Sequence, residues 1–155
     1  MQLTPPTPLV DLSYRPDLHI LVVRWLGVTT DEETRRIYRY LEEADVNQCR
    51  FWLLDARRRP SSGPAVTRWM LDEFAPLVSA HFGGMLYFSY LISPAHLDAA
   101  EDFQRQVAAV SSPTQPYRLH YASQESDATN WLLQAQESEK VLGHSLPAGG
   151  LSSGN

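Results

Sequence analysis

The sequence predicts an α/β domain built on a mixed, mostly parallel sheet of about five strands. Three observations lead there. Strand-sized apolar runs alternate with stretches of helical period, the junctions carry caps or Gly/Pro/Ser turns, and the first two strands are joined by a short turn. An opening hairpin followed by β-α units implies right-handed crossovers, with one antiparallel edge on an otherwise parallel sheet.

Residues 9–14 alternate weakly, Arg15-Pro16-Asp17 is a turn, and residues 19–25 are dense in Ile, Leu and Val. The pair reads as a β-hairpin whose second strand is central. Gly27 breaks that strand, and Thr30-Asp31-Glu32-Glu33 has the S/T-x-x-E pattern of a capping box, predicting a helix over 31–45. Thr34, Ile37, Tyr38, Leu41 and Ala44 share its inner face. Arg35, Arg36 and Arg39 project elsewhere, and Arg39 stands four residues before Glu43. That spacing reads as a paired, solvated face, with contact to an acidic partner as the alternative.

Residues 51–54 form a fully apolar strand. A helix over 64–82 follows, with Val66, Met70, Phe74, Leu77, Val78 and His81 on one stripe. Pro76 removes a backbone donor inside it and should kink the helix, at a cost of about 3 kcal/mol unless packing compensates. Gly83-Gly84 closes the helix, and 86–92 is a second core strand. Ser93-Pro94 opens another helix, in which Ala99, Ala100, Phe103, Val107 and Val110 recur at helical spacing. Tyr117, Leu119 and Tyr121 alternate with Arg118 and His120, as in a half-exposed edge strand that offers a pairing surface for a homodimer. Ser123 is placed to cap a last helix with Ala128, Trp131, Leu132 and Ala135 inward. The expected order is β-β-α-β-α-β-α-β-α. Residues 1–8 read as an extended lead-in, 9–135 as the domain and 136–155 as a flexible tail.

A chain of 155 residues, 43% hydrophobic and 20% charged, suits one globular domain. Its longest apolar runs, 20–23 and 85–88, fall far short of the roughly 20 residues of a membrane span. Pro5, Pro6 and Pro8 interrupt any signal-like segment, so a cytoplasmic setting is expected. Cys49 has no partner for an internal disulfide and reads as a packing residue. A net charge of −5 speaks against nucleic-acid binding. The five histidines lack metal-ligand spacing, and no nucleophile elbow, phosphate loop or dinucleotide fingerprint occurs, so neither a metal nor a cofactor is expected, nor a catalytic residue.

The junction after the 51–54 strand is where function is expected. An apolar strand ends in Asp55, meets Arg57-Arg58-Arg59, and turns through Pro60-Ser61-Ser62-Gly63-Pro64 into a helix, which puts polar groups at a strand's C-terminal end. The arginines beside a helix start suit an anion, and the plainer alternative is that Arg57 or Arg58 pairs with Asp55. Adjacent arginines should depress the Asp55 pKa, which does not suit a catalytic acid. Trp69 lies partly off the Val66-Met70-Phe74 stripe and marks either core or a contact patch.

The Trp52-Leu53-Leu54-Asp55-x-Arg57-Arg58 segment, the element order, and the Pro76-containing helix leading into the 86–93 strand and Pro94 resemble the STAS-like, anti-sigma-factor-antagonist-like domains, including small bacterial Sec14-like members. The resemblance covers about residues 9–134. It implies a mixed sheet and a non-enzymatic switch or docking role, with a Ser or Thr at a helix start phosphorylated by a partner kinase. Sec14-related lobes bind lipids. Ser61 and Ser62 stand where the family's phosphoacceptor turn reads Asp-Ser-Ser-Gly, but here the acidic position is Pro60. Helix capping is the alternative role for these serines. The expectation is therefore a non-catalytic regulatory or scaffolding module that contacts a protein partner through residues 55–64. Asp55, Arg57, Arg58, Arg59 and Trp69 would form the surface, and Ser61 or Ser62 an added phosphoswitch. The alternative is a module binding a small molecule, anion or lipid.

Overall fold

The computed structural model describes residues 1–58, 64–102 and 115–145. Its strands are β1 (Gln2–Leu3), β2 (Val10–Arg15), β3 (Ile20–Trp25), β4 (Phe51–Asp55), β5 (Leu86–Leu91) and β6 (Tyr117–Ala122). Among the described residues they form one six-stranded sheet in sequential order. β1, β2 and β3 are antiparallel neighbours, and β3 through β6 run parallel. The expected α/β class and mixed sheet are observed, with β1 as an additional strand.

That strand corrects the reading of residues 1–8 as a mere lead-in. Gln2 and Leu3 pair with Ser13 and Leu12, and the Met1 ammonium donates to the Tyr14 carbonyl at 2.7 Å. The outer edge of β2 has backbone groups to satisfy, and the chain uses the residues ahead of Pro5 to do so.

In register, Leu21, Trp52 and Phe88 share one face of the sheet, while Val22, Leu53 and Ser89 share the other. Helix α1 (Asp31–Ala44) lies on the first face, where Tyr38 stacks on Trp52 with ring centroids 6.4 Å apart. Thr30 Oγ1 accepts from the Glu33 N–H at 3.1 Å and Glu33 Oε1 from the Thr30 N–H at 2.8 Å, which completes the expected capping box. Thr34, Ile37, Tyr38 and Leu41 are buried, whereas Ala44, at the helix end, is exposed.

Helix α2 (Pro64–Trp69) continues through a π turn (Met70–Phe74) into α3 (Ala75–Phe82) on this same face, with Phe74 set edge-on to Trp52. The expected interruption at Pro76 takes the form of this wider turn, in which the Ala75 N–H reaches back to the Met70 carbonyl. A proline lacks the donor that an α-helical ladder needs, and a π turn just before it accommodates the loss. The wider turn also shifts the inner face. Val78 and Phe82 continue the buried stripe, while Leu77 and His81, expected inward, are exposed. Gly83 closes α3 at φ 76°, a left-handed conformation open to glycine at little cost.

Ser93 precedes a 3-10 turn (Pro94–His96) that leads into helical residues 97–102, designated α4. Phe103, Val107 and Val110 lie outside the described residues. The last helix, α5 (Glu125–Ser145), covers the opposite face of the sheet. Ser89 Oγ donates to the Ala128 carbonyl at 2.9 Å, and Trp131 packs edge-on to Tyr87 and flat on His120. Covered on both sides, every residue of β4 is buried.

Two expectations about α5 are corrected. Its first helical residue is Glu125, and the Ala128 N–H bonds to the Gln124 carbonyl, so Gln124 rather than Ser123 occupies the cap position. The helix also passes the expected domain end at 135 and runs to Ser145. Gln136 Nε2 donates to the Leu18 and His19 carbonyls at 3.0 and 3.1 Å, and Glu139 binds Arg50 at 2.6 and 2.8 Å. These polar ties help bring the distal part of α5 into the fold.

Candidate functional site

The parallel register of β3 and β4 sets Arg24 beside Asp55 on the face covered by α5. The first turn of α5 brings Glu125 to the same place. Asp55 Oδ2 accepts from Arg24 Nη1 and from Arg57 Nη2, each at 2.8 Å. Its Oδ1 accepts from the Arg57 backbone N–H at 3.2 Å and from Arg57 Nε at 3.0 Å. Arg24 then grips Glu125 with both Nη atoms at 3.0 and 2.9 Å, and Arg57 lies 3.6 Å from Glu125.

The Asp55 side chain is 9% exposed, so desolvation pushes its pKa up. Hydrogen bonds from the Arg57 side chain and backbone, then from Arg24, outweigh that burial and hold the carboxyl below its ordinary value. Glu125 is also held low, chiefly by its hydrogen bond from Arg24. A carboxylate with four donors and a depressed pKa is fixed in its charged form. It organises the arginines and has little tendency to take up a proton near neutral pH.

Around this cluster a cleft of about 420 Å³ is lined by Arg24, Trp25, Leu26, Asp55, Arg57 and Arg58. It opens at the C-terminal ends of β3 and β4. Arg58 is exposed and has no carboxylate at ion-pair distance among the described residues, which include all the aspartates and glutamates of the chain. Leu26 and Val28, which follow β3, are 47% and 64% exposed.

Of the residues singled out in the sequence, Asp55, Arg57 and Arg58 come together here. Arg59, Ser61 and Ser62 lie outside the described residues. Trp69 does not line the cleft. It packs against Tyr38 and Phe74 and carries the guanidinium groups of Arg35 and Arg39 over its ring. Arg24 and Glu125 were missed. The available signal was a lone arginine in the otherwise apolar run Ile20-Leu21-Val22-Val23-Arg24-Trp25, because a charge in a central strand needs a partner.

Cys49 and His120, two other chemistry-bearing side chains, are packed against the fold. Burial pushes the Cys49 thiol up to about 11, and its Sγ contacts the His19 and Phe51 carbonyls at 3.4 Å. His120 lies flat on Trp131, and desolvation lowers its pKa. Among the described residues, no three His, Cys, Asp or Glu side chains are grouped to hold a metal, and no helix is long and apolar enough to cross a membrane. No protein-family model matches the chain, and comparisons with curated proteins and with solved structures find no match.

Proposed function

We propose that the chain is a non-catalytic docking module, regulatory or scaffolding in role, that engages a protein partner through the rim formed by Leu26, Val28, Arg57 and Arg58. The observation that carries this reading is the exposure of Leu26 and Val28, at 47% and 64%, with Leu26 lining the arginine cleft and Val28 two residues further along the chain. Single exposed apolar side chains are ordinary on any surface. Two of them on one short loop, adjoining guanidinium groups, have the composition of a protein contact with an apolar centre and a charged border. The locked state of Asp55 favours a binding role over acid-base catalysis.

The STAS-like resemblance supports this class of function, and the exposed rim supports this location for it. The proposal includes a cytoplasmic setting. It also includes a switched version, in which phosphate on Ser61 or Ser62 adds negative charge close in sequence to Arg57 and Arg58 and alters the docking surface. A second reading, binding of a small anion or a lipid headgroup, is favoured by one observation: Arg58 borders a cleft of about 420 Å³ without a carboxylate partner among the described residues.

Quantitative affinity capture with the intact chain tests the first reading. A specific partner should be recovered with wild type and with the remote variant Lys140→Ala, and depleted with Leu26→Ser/Val28→Ser and with Arg57→Ala/Arg58→Ala. Equal recovery with all four proteins would overturn the rim as the contact surface. Native mass spectrometry tests the second reading, which predicts a reproducible added mass that disappears in Arg58→Ala.

A further inference from the structure

We propose that Arg35, Arg39 and Trp69 form a second recognition surface, on the sheet face opposite α5, that takes an acidic, extended segment of a protein partner. The Arg35 and Arg39 guanidinium carbons lie 5.8 and 5.4 Å from the centroid of the Trp69 ring. The ring itself packs against Phe74 at 5.3 Å and Tyr38 at 6.4 Å. The ring is half-buried, and the platform is built across two helices.

Among the described residues no ion pair neutralises these arginines. The expected Arg39–Glu43 pair does not form, and neither Arg35, Arg36 nor Arg39 has a carboxylate at ion-pair distance among the described residues, which include every aspartate and glutamate of the chain. Arg36, next to Arg35, and Arg68, next to Trp69 in sequence, are both exposed. Glu32, Glu43, Asp72 and Glu73 are exposed nearby in sequence, but none closes onto these arginines. Two like charges over one ring repel each other, and an incoming anion relieves that repulsion. A guanidinium attracted to an aromatic face keeps in-plane N–H donors for a carboxylate fork.

Spacing selects the partner. Arg35 and Arg39 are four residues apart on α1, about 6 Å along the helix axis. Side chains two apart on an extended peptide lie about 6.6 Å apart on one face. Carboxylates at alternate positions of an extended segment thus match the rise between the two arginine positions on α1. A nucleic acid would also meet the chain's net charge of −5, which disfavours a long polyanion.

Isothermal titration at low ionic strength, using the full chain, tests the surface. The probes are a synthetic peptide alternating Glu and Thr, its Gln-for-Glu counterpart, and a single-stranded oligonucleotide. The acidic peptide should bind, and the Gln peptide should not. Arg35→Gln/Arg39→Gln should weaken binding at least about tenfold while leaving the circular dichroism spectrum unchanged. Arg57→Ala/Arg58→Ala should leave the affinity intact, which separates this surface from the rim proposed above. Trp69→Phe, which keeps a ring but weakens the platform, should give a smaller loss. Absence of binding to wild type, equal affinity in the Arg35/Arg39 double variant, loss of binding only in the rim variant, or a preference for the oligonucleotide would each overturn the proposal.

Discussion

Arg24 and Glu125, 101 residues apart in sequence, meet through two hydrogen bonds of 3.0 and 2.9 Å. The contact fastens the first turn of α5 to β3, and the same arginine reaches Asp55 on β4 at 2.8 Å. One guanidinium therefore joins three elements. Its two carboxylate partners differ in environment, because the Glu125 side chain is 45% exposed and that of Asp55 only 9%.

This difference predicts unequal costs. Asp55→Asn removes the charge that balances Arg24 and Arg57 where water is scarce, and should lower stability by about 2 kcal/mol. Glu125→Gln acts on a solvated pair and should cost less than about 1 kcal/mol. Urea unfolding of the two variants measures both. Equal losses would show that Asp55 does not hold the cluster together.

Asp55, Glu125 and Glu139 all have depressed pKa values in the folded chain, below the ordinary 3.8 for Asp and 4.5 for Glu. The unfolded chain therefore takes up protons first as pH falls. The stability these groups contribute is complete above the ordinary carboxyl range and is lost as pH falls through the lower folded values. His19 and His120, whose pKa values burial lowers from 6.5, start a shallower decline closer to that pH. Denaturation midpoints measured from pH 8 to pH 3 should show both parts, and Asp55→Asn should flatten the acid limb. An unchanged acid limb in that variant would remove Asp55 from the account.

Local signals in the sequence marked most of the fold. The capping box at Thr30 and Glu33, the apolar run into Asp55 and the double glycine at Gly83 each locate an element end through short-range chemistry. What escaped detection depends on long-range pairing. Gln2 and Leu3 form a strand because β2 has an open edge, and α5 is tied down past residue 135 where Gln136 and Glu139 meet residues just ahead of β3 and β4, more than eighty positions away. The candidate site divides the same way. Asp55, Arg57 and Arg58 are legible as one short segment, whereas Arg24 and Glu125 join them only once strand register and helix placement are known. Trp69 reads as a neighbour of the arginine loop in sequence, yet it turns toward Tyr38 and the arginines of α1.

Gly84 sits at a close approach to the Arg50 side chain. A Cβ at this position would lie 3.0 Å from Arg50 Cζ and Nη1, and that guanidinium is held by the Met85 carbonyl at 2.7 Å and by Glu139. Gly84→Ala should therefore displace Arg50 and cost about 1 kcal/mol through the weakened ion pair. The check is a double-mutant cycle with Glu139→Gln. The alanine should cost less once the glutamate is already neutral, whereas strictly additive losses would place its effect elsewhere.

The distal half of α5 gives the last prediction. Residues 136–142 include little buried apolar surface, so their hold on the domain comes from Gln136 on the Leu18 and His19 carbonyls and from Glu139 on Arg50. The Arg50 and Glu139 side chains are 21% and 29% exposed, which screens the pair less than a fully solvated one. A chain ending at Ala135 should be less stable than one ending at Ser145 by about 2 kcal/mol, the sum of a partly buried ion pair and one carbonyl-bound amide. The full-length double variant Gln136→Ala/Glu139→Gln should reproduce most of that loss in urea unfolding. If it retains wild-type stability while the shortened chain does not, the contribution belongs to the helix backbone rather than to these two side chains.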